Sequence, residues 1–229
     1  MIHTLSLRWS NAYLLTGIGK PVLVDTGSPG EIGRIRTCCR RVGVNPNELA
    51  LILQTHVHSD HFGNTAELAR TASCPVICHA ADQPFAEQGS NGRLRGVGAA
   101  GTLLSPLFSR GRFPAYHGTQ AATDGMRLDE FGIAASVLHT PGHTPGSISI
   151  VLDSGDAIVG DLLMGGFAGG LLWSRKPGYH YFADDLPQAM RSLDQVLQLS
   201  FGRLFVGHGG PLQHADVAKW RSRQASFRN

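Results

Sequence analysis

Residues 55–61, THVHSDH, place three histidines and an aspartate in seven positions of a chain with 11 histidines in 229 residues. These side chains offer nitrogen and oxygen atoms that bind metal ions. His56 and His58 are two residues apart, and alternate side chains of an extended segment point the same way, so the pair predicts one metal held from one side of a loop. Asp60 and His61 follow where the chain turns into a helix and must point elsewhere, which favours a second metal beside the first.

Three more metal-capable residues occur in comparable settings further along the chain. His143 lies in the turn TPGHTPGS, Asp161 ends the predicted strand AIVGD, and His208 ends the predicted strand RLFVGH. Strand ends and the turns after them are where a sheet-based fold collects site residues. The set contains nitrogen and oxygen ligands but no thiolate, which is typical of hydrolytic sites that leave room for water. A carboxylate placed between two cations can bridge them.

The predicted strands and helices form two successive and similar groups along the chain, and each group ends at a histidine-bearing loop. The predicted strand LALILQT runs directly into the histidine cluster, and the clearest helix is DDLPQAMRSLDQVLQL, with apolar residues at i, i+3, i+4 and i+7. Another helix is predicted in SPGEIGRIRTCCRRVGV, where Ser28 and Glu31 have capping-box spacing, Pro29 suits the first helical position and Gly43 ends the helix. The hydrophobic content of 42% allows a sizeable core in one domain over residues 1–229.

Residues 88–123 differ in composition from the rest of the chain. They contain no acidic residue but seven glycines and four arginines, which are Arg93, Arg95, Arg110 and Arg112. A long loop inside a compact domain is usually functional or mobile, so we predict either a lid over the site or a variable insertion. The arginines of a lid would favour an anionic substrate.

The overall composition limits the class of partner and the location. A net charge of +3 is too mild to argue for a nucleic-acid partner. The chain contains no run of 18 apolar residues, so no membrane span is predicted. The amino terminus lacks the features of a signal peptide. The four cysteines form no CxxC motif, which indicates free thiols in a reducing compartment. We therefore expect a cytoplasmic protein that acts on a small molecule; the sequence does not indicate its oligomeric state.

THVHSDH matches the HxHxDH motif of the metallo-β-lactamase superfamily, and TPGHTPGS, GDLL and VGHGGP resemble that family's later ligand motifs in the same order. VDTG at 24–27 resembles its early strand-end motif, so the resemblance extends from about residue 10 to about residue 212. It implies an α/β (α+β) fold, a four-layer αββα sandwich with two metals at one edge. The ligands it implies are His56, His58 and His143 for the first metal, Asp60, His61 and His208 for the second, and Asp161 as the bridge. Asp25 matches an aspartate that supports the site by orienting a ligand or a loop.

The resemblance implies a metal-dependent hydrolase. A metal-bound hydroxide would attack a thioester, ester or lactone carbonyl, and Asp60 would orient it. Two zinc ions are expected, although iron or manganese also suits nitrogen and oxygen ligands. The pattern is closest to the glyoxalase II (hydroxyacylglutathione hydrolase) group. The chain stops some 20 residues after His208, without the helical extension that helps that group to bind glutathione.

Other members of the superfamily fit less well. True β-lactamases generally lack the carboxylate found here as Asp161. Acyl-homoserine lactonases resemble the ligand set but place a tyrosine shortly after the bridging aspartate, where this chain has Met164. Persulfide dioxygenases share the motif but use one iron, so they form the alternative class. The complete ligand set argues against a non-catalytic binding protein.

Residues 173–182, WSRKPGYHYF, follow the bridging aspartate and are predicted to overhang the site. The candidate substrate contacts in this segment are Arg175, Lys176, Tyr179, His180 and Tyr181. The alternative is a solvated, turn-rich loop. No histidine beyond the five in the ligand set, His180 included, is predicted to bind metal.

Overall fold

The first half of the chain forms a six-stranded sheet. The structure, a computed structural model, describes residues 1–200 and 202–226, with the backbone alone at 225 and 226. The strands lie in chain order, β1 to β3 antiparallel and β3 to β6 parallel. They are β1 (Ile2–Ser6), β2 (Asn11–Leu15), β3 (Val22–Val24), β4 (Leu51–Leu53), β5 (Val76–His79) and β6 (Thr119–Ala122). The helices in this half are α1 (Ile32–Arg41), α2 (Ser59–Phe62), α3 (Thr65–Ala72), α4 (Gln83–Gln88) and α5 (Gly98–Phe108).

The second half forms a five-stranded sheet and a separate hairpin. Its strands are β7 (Ala135–His139), β8 (Ile148–Leu152), β9 (Ala157–Gly160), β10 (Met164–Phe167), β11 (Leu172–Gly178), β12 (Arg203–Val206) and β13 (Leu212–Gln213). The sheet order is β13-β12-β9-β8-β7, and β9 and β12 are its parallel pair, whereas β10 and β11 pair with each other. The helices are α6 (Leu186–Leu199) and α7 (His214–Ser226).

Alternation of side chains along the strands creates four layers. In β2, Tyr13 and Leu15 face the second sheet, while Leu14 faces the helices on the other side. Helices α1 and α3 cover the first sheet, and helices α6 and α7 cover the second. The helical residues that do so are Ile35, Cys39 and Leu68 on one side and Leu193, Val196 and Val217 on the other. The predicted αββα sandwich is confirmed, and it leaves one edge of the two sheets for the predicted metal ligands.

Helix α1 begins later than the capping-box pattern predicts. The helix starts at Ile32, and the predicted Ser28 cap makes no side-chain bond to it. Of the two bonds of the predicted capping box only one forms, since the Glu31 carboxylate accepts the backbone N–H of Ser28 at 2.9 Å, and this carboxylate also accepts the backbone N–H of Arg8. The reason for the difference is tertiary, since Glu31 connects this turn to the segment after β1.

Residues 88–123 and 173–182 hold more regular structure than their composition indicates. Helix α5 and strand β6 lie within the first segment, where a loop was predicted. The apolar residues of α5 follow no buried stripe, because Leu103, Leu107 and Phe108 are exposed. Most of the second segment is strand β11 rather than a turn-rich loop.

Two expectations about the chain as a whole can be compared with the structure. Among residues 1–200 and 202–226 we find no helix with the length and apolarity that a membrane crossing requires. The four cysteines are free, as predicted. The cytoplasmic location stays a prediction.

Candidate metal centre

Strand ends bring the seven predicted ligands to one place. His56 and His58 follow β4, and Asp60 and His61 lie in α2. His143 lies between β7 and β8, Asp161 follows β9, and His208 follows β12. Within each of three groups the ligand atoms lie within 4.8 Å of one another; the groups are His56, His58 and His143; His56, His61 and Asp161; and Asp60, His61 and His208. The structure therefore contains the two clusters that the sequence predicts.

The first cluster, His56, His58 and His143, consists of buried imidazoles. His58 Nδ1 lies 3.0 Å from His143 Nε2, and the His56 ring lies 4.7 and 4.6 Å from the other two rings, measured between centroids. Burial lowers the pKa of His58 to about 4 and holds the pKa of His56 and of His143 well below the usual value. The three rings are therefore neutral, which is the form that binds a metal.

The second cluster, Asp60, His61 and His208, contains its own carboxylate. Asp60 Oδ2 lies 3.4 Å from His208 Nε2 and 3.9 Å from His61 Nε2, and the Asp60 side chain is 32% exposed. Burial alone would lower the pKa of His61 and His208, but the carboxylates of Asp161 and Asp60 outweigh it. They hold the pKa of His61 well above its usual value and raise that of His208 to about 10. The carboxylates around this cluster therefore favour a positive charge there, on a proton or on a cation.

Asp161 lies between the two clusters. Its Oδ2 atom lies 3.8, 3.4, 3.6 and 3.3 Å from the Nε2 atoms of His56, His61, His143 and His208. A side chain at Gly207 would not fit beside it, because an added Cβ would lie 2.0 Å from Asp161 Oδ1. The absence of a side chain there lets β12 approach the carboxylate closely. Asp161 thus occupies the position of a bridging ligand.

Outer hydrogen bonds orient four of the five imidazoles. The Nδ1 atoms of His61, His143 and His208 lie 2.8, 2.9 and 2.7 Å from Asp25 Oδ2, the Phe182 carbonyl and the Trp9 carbonyl, and His56 Nδ1 lies 3.0 Å from Thr55 Oγ1. Such contacts fix the ring and turn Nε2 toward the site. Asp25, at a φ of 63°, also accepts the backbone N–H and the hydroxyl of Thr55 at 2.8 Å each. The predicted supporting aspartate therefore lies where it can orient His61.

The inward-facing atoms lack partners, which tests whether a metal fits. His56 Nε2, His61 Nε2, His208 Nε2 and Asp161 Oδ1 are buried and have no hydrogen-bond partner. A buried polar atom without a partner costs about 1–3 kcal/mol, so four of them directed at one place suit a common bound ion. Neutral imidazoles and carboxylates form the donor set of a divalent metal. The residues present therefore fit a divalent cation.

Known proteins share the pattern over nearly the whole chain. A family model of the metallo-beta-lactamase superfamily matches residues 7–208. The chain belongs to this superfamily. It is 31% identical to the probable metallo-hydrolase YflN of Bacillus subtilis (strain 168) over 99% of this chain and 92% of that protein. The predicted class, a metal-dependent hydrolase of the superfamily, is thereby confirmed.

Two further matches bear on the metal and the substrate. The crystal structure of TTHA1623 in a di-iron-bound form is 28% identical, with a TM-score of 0.66, over 96% of this chain and 97% of that one. An N-acyl homoserine lactonase from a Bacillus species is 26% identical over 62% of this chain and 57% of that protein. The first of these proteins was solved with two bound irons, and the second is named for a lactone substrate.

Asp82 is a buried residue of the site that sequence analysis missed. Its Oδ2 accepts the Val57 N–H at 3.0 Å and the Thr144 hydroxyl at 2.8 Å, and its Oδ1 accepts the Gly146 N–H at 2.8 Å. Val57 lies between His56 and His58, and the other two partners follow His143. Asp82 therefore ties together the two loops that carry the first cluster. Its position just after β5, in the same strand-end setting as Asp25, is the sequence signal that could have found it.

His180 joins the metal cluster, whereas the sequence predicts only a substrate contact for it. Its Nε2 lies 3.2 Å from Asp161 Oδ2, and its ligand atom lies within 4.8 Å of those of His143 and Asp161. The neighbouring Tyr181 hydroxyl accepts the Ala168 N–H at 3.0 Å and lies beside β10. Of these two predicted substrate residues, His180 reaches the cluster and Tyr181 contacts the end of β10 next to it.

The other three predicted substrate residues lie elsewhere. Tyr179 packs against Trp220 of α7, with ring centroids 5.0 Å apart. Arg175 and Lys176 line a surface cleft of about 670 Å³ between β11 and α7, and no predicted metal ligand lines that cleft. The predicted segment thus divides between the metal cluster and the surface of α7.

The segment 88–123 packs against the rim of the metal centre. Asn91 Oδ1 accepts the N–H of Ser59, next to His58, at 2.6 Å. The Val97 N–H donates to the Tyr181 carbonyl at 2.7 Å, and the Phe108 and Phe182 rings lie 5.6 Å apart. The segment thus contacts residues on two sides of the ligand cluster.

Proposed function

We propose that this protein hydrolyses a small thioester, ester or lactone with two divalent metal ions, zinc by expectation, as the glyoxalase II-like group of the superfamily does. The observation that carries the proposal is the convergence of two ligand clusters on Asp161. One consists of buried, neutral imidazoles and the other includes the partly exposed carboxylate of Asp60, so the pair suits two cations with different surroundings. A single-iron dioxygenase would use only one of the two clusters.

The side chains have distinct roles in the proposed reaction. His56, His58 and His143 would hold one ion, Asp60, His61 and His208 the other, and Asp161 both. Bound divalent cations supply Lewis acidity and lower the pKa of water, which makes a nucleophile available at neutral pH. Asp60 is the ligand with the more open side chain, at 32% exposed against 2% for Asp161, so it is placed to accept a proton from an attacking water and to orient it.

Exposed aromatic residues in two segments that adjoin the centre favour a substrate with an apolar portion. Trp9, whose carbonyl holds His208, is 62% exposed, and Phe167, which lies 6.1 Å from the Tyr181 ring, is 53% exposed. Exposed aromatic rings beside a polar centre provide contact area for an acyl group or a ring. The contacts of residues 88–123 with the rim support the lid alternative, and Arg93 and Arg95 in that lid favour an anionic group at the other end of the substrate. We propose a small-molecule substrate and neither a nucleic-acid partner nor a membrane partner.

A lactone is the substrate that one comparison favours. The likeness to an N-acyl homoserine lactonase supports it, although this chain has the buried Met164 where that group places a tyrosine. Iron in place of zinc is supported by the likeness to TTHA1623 in its di-iron-bound form. Both alternatives keep two cations and the same ligands.

The deciding experiment combines metal analysis with a substrate screen. Protein purified without added metal is assayed for metal per chain, then tested on thioesters that include a glutathione thioester, on lactones, on phosphodiesters and on a persulfide. We expect about two ions per chain and turnover of one carbonyl class that chelation abolishes. His56→Ala should lose turnover, while His3→Ala, at a histidine of β1 outside both clusters, should retain it. Oxygen consumption with the persulfide, or unchanged turnover by a metal-verified His56→Ala variant, would contradict the proposal.

A further inference from the structure

The metal centre contains six imidazoles, rather than the five of the predicted ligand set, and five of the six contact the bridging carboxylate. The additional one belongs to His180, whose side chain is 9% exposed. Its Nε2 lies 3.2 Å from Asp161 Oδ2, nearer than any of the four predicted ligands that contact this oxygen, which lie at 3.3–3.8 Å. This contact indicates that His180 takes part in the site.

His180 is oriented in the same way as His143. The Nδ1 atoms of the two rings lie 3.1 and 2.9 Å from the same acceptor, the Phe182 carbonyl. The ring planes stand at 87° with centroids 4.6 Å apart, so both Nε2 atoms point inward from neighbouring positions. A backbone carbonyl that accepts Nδ1–H leaves the Nε2 lone pair free, and this is the usual outer contact of a metal-binding histidine.

The spacing of the inward atoms suits a common ion. Donor atoms that each lie about 2.1 Å from one ion are separated by about 3.0–4.2 Å, depending on the angle between them. Asp161 Oδ2 lies 3.2 Å from His180 Nε2 and 3.6 Å from His143 Nε2. Both separations fall within that range.

We propose that His180 Nε2 is a further ligand of the ion held by His143, an inference that rests on the proposed metal centre. This ion would then have five protein ligands: His56, His58, His143, Asp161 and His180. Zinc in proteins is usually four-coordinate and only sometimes five-coordinate. The additional imidazole therefore shifts this position toward ions that accept five or six ligands, such as iron(II) and manganese(II).

The competing arrangement uses the other tautomer of His180. The Phe182 N–H lies 3.2 Å from His180 Nδ1, so Nδ1 would accept that N–H, and Nε2–H would donate to Asp161 Oδ2. His180 would then position Asp161 and bind no metal. The two arrangements can be distinguished by substitution. A side chain that donates a hydrogen bond to Asp161 can replace His180 in the second arrangement but not in the first.

The test uses cobalt(II)-loaded protein with His180→Asn and His180→Gln. The asparagine amide can keep the contact with Phe182 but provides no atom at the Nε2 position, whereas the glutamine amide places an N–H donor there. We expect both variants to bind one of the two ions at least about 10-fold more weakly. Their cobalt absorption in the visible range should intensify as the coordination number falls, and their preference for zinc over manganese should rise. His117→Gln is the matched control and should match wild type.

Circular dichroism and the melting temperature of metal-free protein establish that each variant folds. A cobalt spectrum and metal affinity unchanged in both variants would overturn the assignment. So would a defect in His180→Asn that His180→Gln restores, since glutamine can replace a hydrogen-bond donor. Failure of the wild type to hydrolyse any carbonyl substrate would contradict the proposed function but leave this result readable, because the cobalt spectrum requires no turnover.

Discussion

The two ligand clusters that meet at Asp161 differ in charge and exposure. The first, His56, His58 and His143, is buried and neutral, and burial lowers the pKa of its imidazoles. The second contains the partly exposed carboxylate of Asp60, and its neighbouring carboxylates raise the pKa of its imidazoles. The first cluster is therefore suited to anchoring an ion, and the second to presenting one to water and substrate.

Each cluster also has its own buried aspartate that binds no metal in the proposed set. Asp25 contacts a ligand ring directly, at 2.8 Å from His61 Nδ1, and reaches His56 more weakly through the Thr55 hydroxyl. Asp82 contacts no ligand ring but accepts three hydrogen bonds from the loops around the first cluster. The second cluster thus depends on the orientation of one ring, and the first on the placement of two loops.

Removal of Asp161 should abolish the difference between the clusters, because both share this carboxylate. For Asp161→Ala we expect both ions to bind at least about 100-fold more weakly, since the loss of outer partners alone costs 10–100-fold. Hydrolysis should become undetectable. Metal analysis after dialysis and turnover of the identified substrate would measure this. Asp153→Ala, at an exposed carboxylate paired with Arg127, is the control, and retention of one ion at wild-type affinity would contradict the bridging role.

Asp25→Asn should weaken mainly the second cluster. Asparagine tolerates the positive φ of this position, so the backbone should persist. The amide offers one acceptor oxygen where the carboxylate serves both Thr55 and His61, so the affinity for one ion should fall about 10–100-fold. The other ion should weaken less, through Thr55 and His56. Titration with a chelating competitor separates the two affinities, and an equal loss at both positions would show that the clusters share this support.

Asp82→Asn should weaken metal binding mainly at the first cluster, and by less than Asp25→Asn weakens it at the second. The amide NH₂ would face one of the backbone N–H groups that now donate to the carboxylate, which leaves a buried donor without an acceptor. We expect metal-free protein to lose about 1–3 kcal/mol of stability and one ion to bind about 10-fold more weakly. Urea unfolding and the same chelator titration measure the two effects. If the ion lost first were the one that Asp25→Asn releases, the assignment of Asp82 to the first cluster would be wrong.

Local spacing explains which parts of the site were predictable. The seven predicted ligands lie in short motifs at strand ends, and spacing alone separated His56 and His58 from Asp60 and His61. The places of His143, Asp161 and His208 in the two clusters were implied by the resemblance of their motifs to those of the family. Asp82 was missed because its partners are 25, 62 and 64 residues away and only the packing of β5 against two loops brings them together. His180 was assigned to substrate alone because its position depends on the β10–β11 hairpin, which the sequence did not predict.

The same reasoning applies to the fold. The αββα layers were implied by the resemblance to the family, and two local patterns agree with them: the consecutive apolar residues of buried strands such as β2 and the apolar stripe of α6. Strand β6, TQAA, has no such pattern and forms because the edge of β5 provides its hydrogen-bond partners. Helix α5 is exposed along much of its length and contains Pro106, so neither a stripe nor a cap indicated it.

The remaining prediction is a pH dependence specific to the support of the first cluster. Burial raises the pKa of Asp82 to about 6, and the hydrogen bonds from Thr144, Val57 and Gly146 offset only part of that rise. The unfolded chain has a value of about 3.9, so folded protein binds this proton more tightly. The contribution of Asp82 is therefore complete below about pH 4 and is lost as the pH rises through about 6, by about 3 kcal/mol in all.

Asp82→Asn removes this titration and isolates it from the other ionisable groups. The stability of metal-free wild type minus that of Asp82→Asn should decrease between about pH 4 and pH 6 and level off above the folded pKa. Urea unfolding of both proteins across that range gives the difference directly. A difference that rises with pH would mean that the three donors hold Asp82 as a carboxylate in the folded protein, with its pKa depressed. The first cluster would then be anchored by a permanent negative charge, and the contrast with the Asp25 side of the site would be smaller than the burial of Asp82 indicates.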